Sequence, residues 1–114
     1  MPGSSRHHWG TDFDLNSLEP QYFQSGKGKK EYDWLVKNAK RYGFYQPYDN
    51  DEKRTGYEEE KWHWSFFPLS STYLSAYLAI IKPEDINGFK GSGQAKNIQV
   101  IPNYVAGVAA SPIP

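Results

Sequence analysis

From Trp9 onward apolar and polar residues alternate: Thr11, Phe13 and Leu15 fall on one side, Asp12, Asp14 and Asn16 on the other. A period of two belongs to a strand. The pattern predicts one buried face and one polar face, with Asp12 and Asp14 pointing the same way. Residues 24–30, QSGKGKK, read as a solvated basic turn. In KEYDWLVKNAKRYGF, residues 30–44, Tyr32, Leu35, Val36, Ala39 and Tyr42 recur at helical spacing, and Gly43 is placed as the stop. QPYDNDEKRTG, residues 46–56, is a polar loop. YEEEKWHWSFFPL, residues 57–69, runs into Trp and Phe and predicts a buried strand that Pro68 ends. SSTYLSAYLAIIK, residues 70–82, opens on Ser/Thr caps and stacks Tyr73, Leu74, Tyr77, Leu78 and Ile81 on one side, which predicts a helix halted before Pro83. PEDINGF adds a short helical turn, and the Gly- and Pro-containing tail from Gly91 fits strand or helix equally. No repeat, heptad or low-complexity block interrupts this order.

Composition narrows the picture. At 114 residues, 38% hydrophobic and 17% aromatic, the chain is one small unit (residues 1–114) whose core leans on Trp, Tyr and Phe. Thirteen basic and thirteen acidic residues cancel, so the broad positive field of a nucleic-acid binder is absent and no nucleic-acid partner is expected. With no cysteine, disulfides and thiolate zinc sites are excluded, and His, Asp and Glu remain as strong metal ligands. The apolar stretch around Tyr73 to Ile81 is too short to span a bilayer, and no charged-then-apolar leader opens the chain.

The opening SSRHHWGTDFD, residues 4–14, has two incompatible readings. It resembles the remnant of an expression tag, and it could equally be half of a metal site. Only three histidines exist, His7, His8 and His63, and the third lies in EEKWHW, three residues after Glu60. A catalytic zinc takes three protein ligands and keeps a position open for water. His7, Asp14 and His63 with Glu60 as a spare carboxylate form such an inventory. Each piece also has a plain reading: tag or surface histidines, a solvated strand face, a charge run through Glu58, Glu59 and Glu60, and a packed histidine between two tryptophans. For Glu58 and Glu59 the plain reading stands. For the others their conjunction outweighs it.

These residues resemble the zinc D-alanyl-D-alanine carboxypeptidases and dipeptidases of the VanY type, peptidase family M15, whose fold is shared with the Hedgehog signalling domain. The family pattern is Ser-x-His-x-x-Gly-x-x-x-Asp followed tens of residues later by Glu-x-x-His, often beside Trp. SRHHWGTDFD supplies Ser5, His7, Gly10 and Asp14, and EKWHW supplies Glu60, Trp62, His63 and Trp64, over roughly residues 2 to 68. The resemblance favours the metal site and leaves His8 as a neighbour. It implies an α+β fold, a small antiparallel sheet packed with helices.

It further implies that His7, Asp14 and His63 bind one Zn2+, with a water in the fourth position as nucleophile and Glu60 as general base and then general acid. Ser5 resembles the family serine that contacts substrate, a turn role being equally available to it. Trp62 and Trp64 flank His63, so one lines the pocket and the other the core. Asp12 stands where the family has a small residue, and on the face it shares with Asp14 it is placed to orient a ligand histidine from behind. The implied substrate is a peptidoglycan stem peptide ending in D-Ala-D-Ala, which sets an extracytoplasmic or periplasmic location.

One departure follows. The family carries a segment ahead of the first motif, with an arginine expected to clamp the substrate carboxylate, whereas this chain has four residues before Ser5. The chain then corresponds to the C-terminal catalytic part. Arg54 is the nearest substitute clamp, and apolar surface left bare favours a homodimer. The competing reading is a non-catalytic zinc- or peptidoglycan-binding module of the same fold.

Overall fold

The computed structural model describes residues 1–110. A 3-10 turn at Arg6–Trp9 leads into strand β1 (Asp12–Asp14), and a second turn at Pro20–Phe23 leads into helix α1 (Gly26–Asn38). A further turn (Ala39–Tyr42) joins α1 to β2 (Phe44–Tyr45), and after a long loop β3 (His63–Phe66) runs directly into α2 (Phe67–Ile80). The three strands form one antiparallel sheet in the order β1-β3-β2. The fold is thus α+β, as expected.

Register gives the sheet two unlike faces. Asp12 pairs with Ser65, Phe13 with Trp64, Asp14 with His63, Phe44 with Phe66 and Tyr45 with Ser65. Because side chains alternate, Asp12, Asp14, His63, Ser65 and Tyr45 share one face, and Phe13, Trp64, Phe44 and Phe66 the other. The expected burial of β1 fails at two positions, the Asp12 side chain being 0% exposed and Phe13 38% exposed, while Thr11 is buried and Asp14 and Asn16 are exposed as the alternation predicts. A carboxylate can be buried when every lone pair is met by a donor, and the polar face supplies those donors. The aromatic face packs on α1 only in part, leaving an apolar trough bounded by Phe13, Trp34, Tyr42 and Phe44.

Two helix starts differ from expectation. α1 begins at Gly26, inside the stretch read as a solvated turn. The cause is packing: a Cβ on Gly28 would lie 1.8 Å from the carbonyl oxygen of Tyr22, so only glycine lets the Pro20–Phe23 turn rest on the helix. α2 begins at Phe67, so Pro68 sits in its first turn instead of ending a strand. Proline is suited to that place because its missing N–H has no helical partner there. Ser70, read as a cap, is instead buried within α2 and hydrogen-bonded to Ser65 at 2.8 Å. The tail resolves to helical turns, α3 (Gln94–Asn97) and a π-type turn at Ile101–Val105. Ile86, Ala95 and Val100 form a small cluster there, against which Met1 packs.

Candidate metal centre

The 3-10 turn at Arg6–Trp9 is short because Gly10 closes it with φ +72° and Ser5 opens it, its Oγ accepting the His7 N–H at 3.3 Å. That turn sends consecutive side chains opposite ways: Arg6 is buried, His7 is exposed. β1 then carries Asp14 back beside His7, with His7 Nε2 3.5 Å from Asp14 Oδ1. Across the sheet, His63 Nδ1 lies 4.0 Å from the same oxygen. The ligating atoms of His7, Asp14 and His63 all fall within 4.8 Å of one another. The imidazole rings stack, centroids 4.6 Å apart. His8, one place off this register, is exposed and outside the group.

Hydrogen bonding shows which nitrogen of each ring faces the cleft. A carbonyl oxygen can only accept, so the 3.3 Å contact of His7 Nδ1 with the Asp12 carbonyl puts the proton on Nδ1 and leaves Nε2 toward Asp14. His63 Nε2 donates to Asp12 Oδ2 at 2.7 Å, and Nδ1, facing the cleft, donates to Glu60 Oε1 at 3.1 Å, a proton that a metal at Nδ1 would displace. Burial works against charge on His63, but the bonds to Asp12 and Glu60 outweigh it and raise its pKa above 6.5. Burial likewise opposes ionisation of Asp12, yet His63, Arg6 and Ser65 bring it down from 3.8 to about 2. Asp12 is therefore a fixed carboxylate behind His63.

The donor set fits zinc. Two ligands about 2.0–2.2 Å from a tetrahedral zinc sit roughly 3.3–3.6 Å apart; the 3.5 Å separation already matches, while the 4.0 Å separation and the overall spread of up to 4.8 Å would close by rotation of the exposed His7 and Asp14 side chains. Two nitrogens and a carboxylate oxygen, each ring held from behind by an oxygen acceptor, are the ligands and supports such an ion takes.

Around the three side chains lies a cleft of about 290 Å³, walled by Leu18, Tyr48, Tyr57 and Trp62 and containing Ser5 and Glu60. Trp64 lies on the opposite, aromatic face of the sheet. Arg54, the nearest candidate for a carboxylate clamp, is engaged elsewhere. Its guanidinium donates to Asp49 Oδ1 at 3.1 Å, the Tyr57 carbonyl at 2.8 Å and the Gly107 carbonyl at 3.0 Å, pinning the 46–56 loop to the tail. Arginine binds by donating those N–H groups, and here carbonyls already take them.

Sequence reasoning passed over Arg6, Thr11, Ser65 and Tyr48. Tyr48 meets the His63 ring edge-on at 5.0 Å. Thr11 and Ser65 donate to Asp12 Oδ1 at 2.8 and 2.7 Å. The only local signal was Arg6 abutting His7, and arginine is ordinarily a surface residue.

A three-stranded α+β unit thus gathers at one cleft a His–Asp–His cluster that could hold a metal ion, with a glutamate beside it. Comparison with known families supplies the rest: the D-alanyl-D-alanine carboxypeptidase family, VanY, matches residues 1–69. The chain belongs to that family, a family of peptidase-like enzymes, and the matched stretch contains all three strands and the whole cleft. An uncharacterized protein of Haemophilus influenzae is 28% identical over 100 residues, covering 77% of this chain and 76% of that protein. No solved structure matches significantly. Among the described residues no helix is long and apolar enough to cross a membrane.

Proposed function

We propose that this chain is a zinc peptidase that removes the terminal D-Ala from peptidoglycan stem peptides ending in D-Ala-D-Ala. The observation that carries the reading is the convergence of His7, Asp14 and His63 within 4.8 Å, with the Glu60 carboxylate 3.1 Å from His63. His7 through Nε2, Asp14 through Oδ1 and His63 through Nδ1 are the atoms that would hold the ion. When bound, zinc supplies Lewis-acid activation of a water and of the scissile carbonyl.

The chain's own groups do the remaining work. Glu60, one of the carboxylates in the cleft and outside the ligand set, takes the proton from the attacking water and returns it to the departing amine. Asp12 orients His63 by accepting its Nε2 proton. Trp62 shields the cleft from bulk water and packs on the peptide, and Ser5 borders the bound backbone while its Oγ caps the ligand turn. The wider fold is read as Hedgehog/DD-peptidase-like within a single unit spanning residues 1–114. Because the substrate is cell wall, the reading carries an extracytoplasmic location with it.

One observation favours a second reading, a module of the same fold that holds the stem peptide without cutting it: Arg54 is bound to carbonyls and cannot clamp a carboxylate. Elemental analysis paired with D-alanine release from a D-Ala-D-Ala-ended peptide separates the two. One zinc per chain with release supports the peptidase. Zinc with peptide binding but no release transfers the case to the module, and no zinc sinks both. Glu60→Gln is expected to keep its metal and lose about 10²- to 10⁴-fold in turnover.

A further inference from the structure

Arg6 has no part in the reading above, yet it is among the most buried side chains of the protein, at 2% exposure. Its Nε donates to Asp12 Oδ2 at 2.9 Å, the same oxygen that takes the His63 Nε2 proton. Its Nη2 donates to Ser65 Oγ at 3.1 Å, and that hydroxyl in turn donates to Asp12 Oδ1. The guanidinium plane is fixed by the Trp9 ring, 4.9 Å from Cζ. Thus Arg6 grips Asp12 at both oxygens, directly at the one it shares with His63 and through Ser65 at the other.

For folding alone this is a poor arrangement. Nη1 of Arg6 is buried and has no hydrogen-bond partner among the described residues, and an unmet buried donor is destabilising. A buried ion pair contributes little net stability over apolar replacements of similar volume. A carboxylate behind a ligand histidine, in contrast, fixes tautomer and ring angle, provided the carboxylate itself cannot rotate. Arg6 supplies that constraint.

We propose that Arg6 is a positioning residue for the metal centre: by locking the Asp12 carboxylate it keeps the proton of His63 on Nε2 and presents Nδ1 to the ion. The inference rests on the reading of His7, Asp14 and His63 as ligands. It predicts that Arg6 acts only through Asp12.

The test is a double-mutant cycle on the metal-free protein, with Arg6→Met, Asp12→Asn and the two combined, read by zinc affinity against a chromophoric chelator, by 15N NMR of the His63 ring and by thermal melting. Asp12→Asn keeps an oxygen toward Arg6 and His63, since arginine can only donate, and turns its amide to the Thr11 and Ser65 hydroxyls. It removes the charge that holds the ring proton on Nε2 and is expected to loosen that tautomer. Arg6→Met is expected to weaken zinc binding 10- to 100-fold, and to weaken it no further when Asp12→Asn is already in place. The combined variant removes both buried charges together and is expected to melt at or near the wild-type temperature.

Three results overturn the proposal: zinc held by Arg6→Met as tightly as by wild type, an Arg6 effect that persists in the Asp12→Asn background, or a combined variant that fails to fold, since the pair would then serve the fold. If wild type itself binds no zinc, the ligand assignment fails first. Tight wild-type binding with an unaffected Arg6→Met overturns this inference alone.

Discussion

His63 is gripped by two carboxylates, and that determines how its metal affinity responds to acid. Burial disfavours its charge, but the bonds to Asp12 and Glu60 raise its pKa above 6.5. A proton on Nδ1 excludes a metal from the same lone pair. Zinc affinity is therefore expected to fall as pH drops through that raised pKa, by about tenfold per unit below it. A chelator competition from pH 5 to 8 that gave a flat affinity would remove His63 from the ligand set. The metal-free protein behaves oppositely: the stability from protonated His63 is fully present below 6.5 and is lost as pH rises through the raised value. Asp12 has the other sign, its pKa lowered to about 2, so its contribution, about 2 kcal/mol, is present above 3.8 and lost as pH falls toward 2. At this scale the residue types around the cleft were legible, because His, Asp and Glu at fixed spacing announce ligand chemistry. Arg6 was not, because nothing local distinguishes a buried arginine from a solvated one.

Among the elements, β1 was readable as an alternating stretch, β3 as a Trp- and Phe-rich one, and the helical stripes of α1 and α2 as period-3.6 patterns. Their ends were not. Pro68 punctuates sequence, but whether it ends a strand or opens a helix depends on where the chain goes next. Gly28 makes the same point with a measurable consequence. Gly→Ala inside a helix ordinarily stabilises by up to about 1 kcal/mol, yet here the added Cβ would meet the Tyr22 carbonyl at 1.8 Å. Gly28→Ala is expected to destabilise by roughly 1–3 kcal/mol, read as a lowered urea midpoint. A stabilised variant would show that the Pro20–Phe23 turn does not rest on α1.

Across the whole molecule, a metal that binds only the folded chain adds stability by mass action, about 2.7 kcal/mol at a free concentration of 100 Kd. For a chain of this size that corresponds to a rise in melting temperature of about 10 °C or more. Zinc is expected to produce it, chelator to reverse it, and His63→Ala to abolish it. A zinc-insensitive melt of wild type would sink the site. Sequence by itself determined what the chain could offer: one strand of period two and one rich in Trp and Phe, two helices, no cysteine, and three histidines with carboxylates at spacings that name a family. Those are local quantities, set by backbone geometry and residue chemistry. The tertiary structure alone decided that Asp12 and not Phe13 is buried on β1, which nitrogen of His63 faces the cleft and which arginine reaches Asp12. Each depends on partners far along the chain, such as Ser65 on Asp12 at a separation of 53 residues, and a buried polar group is stable only where such partners arrive.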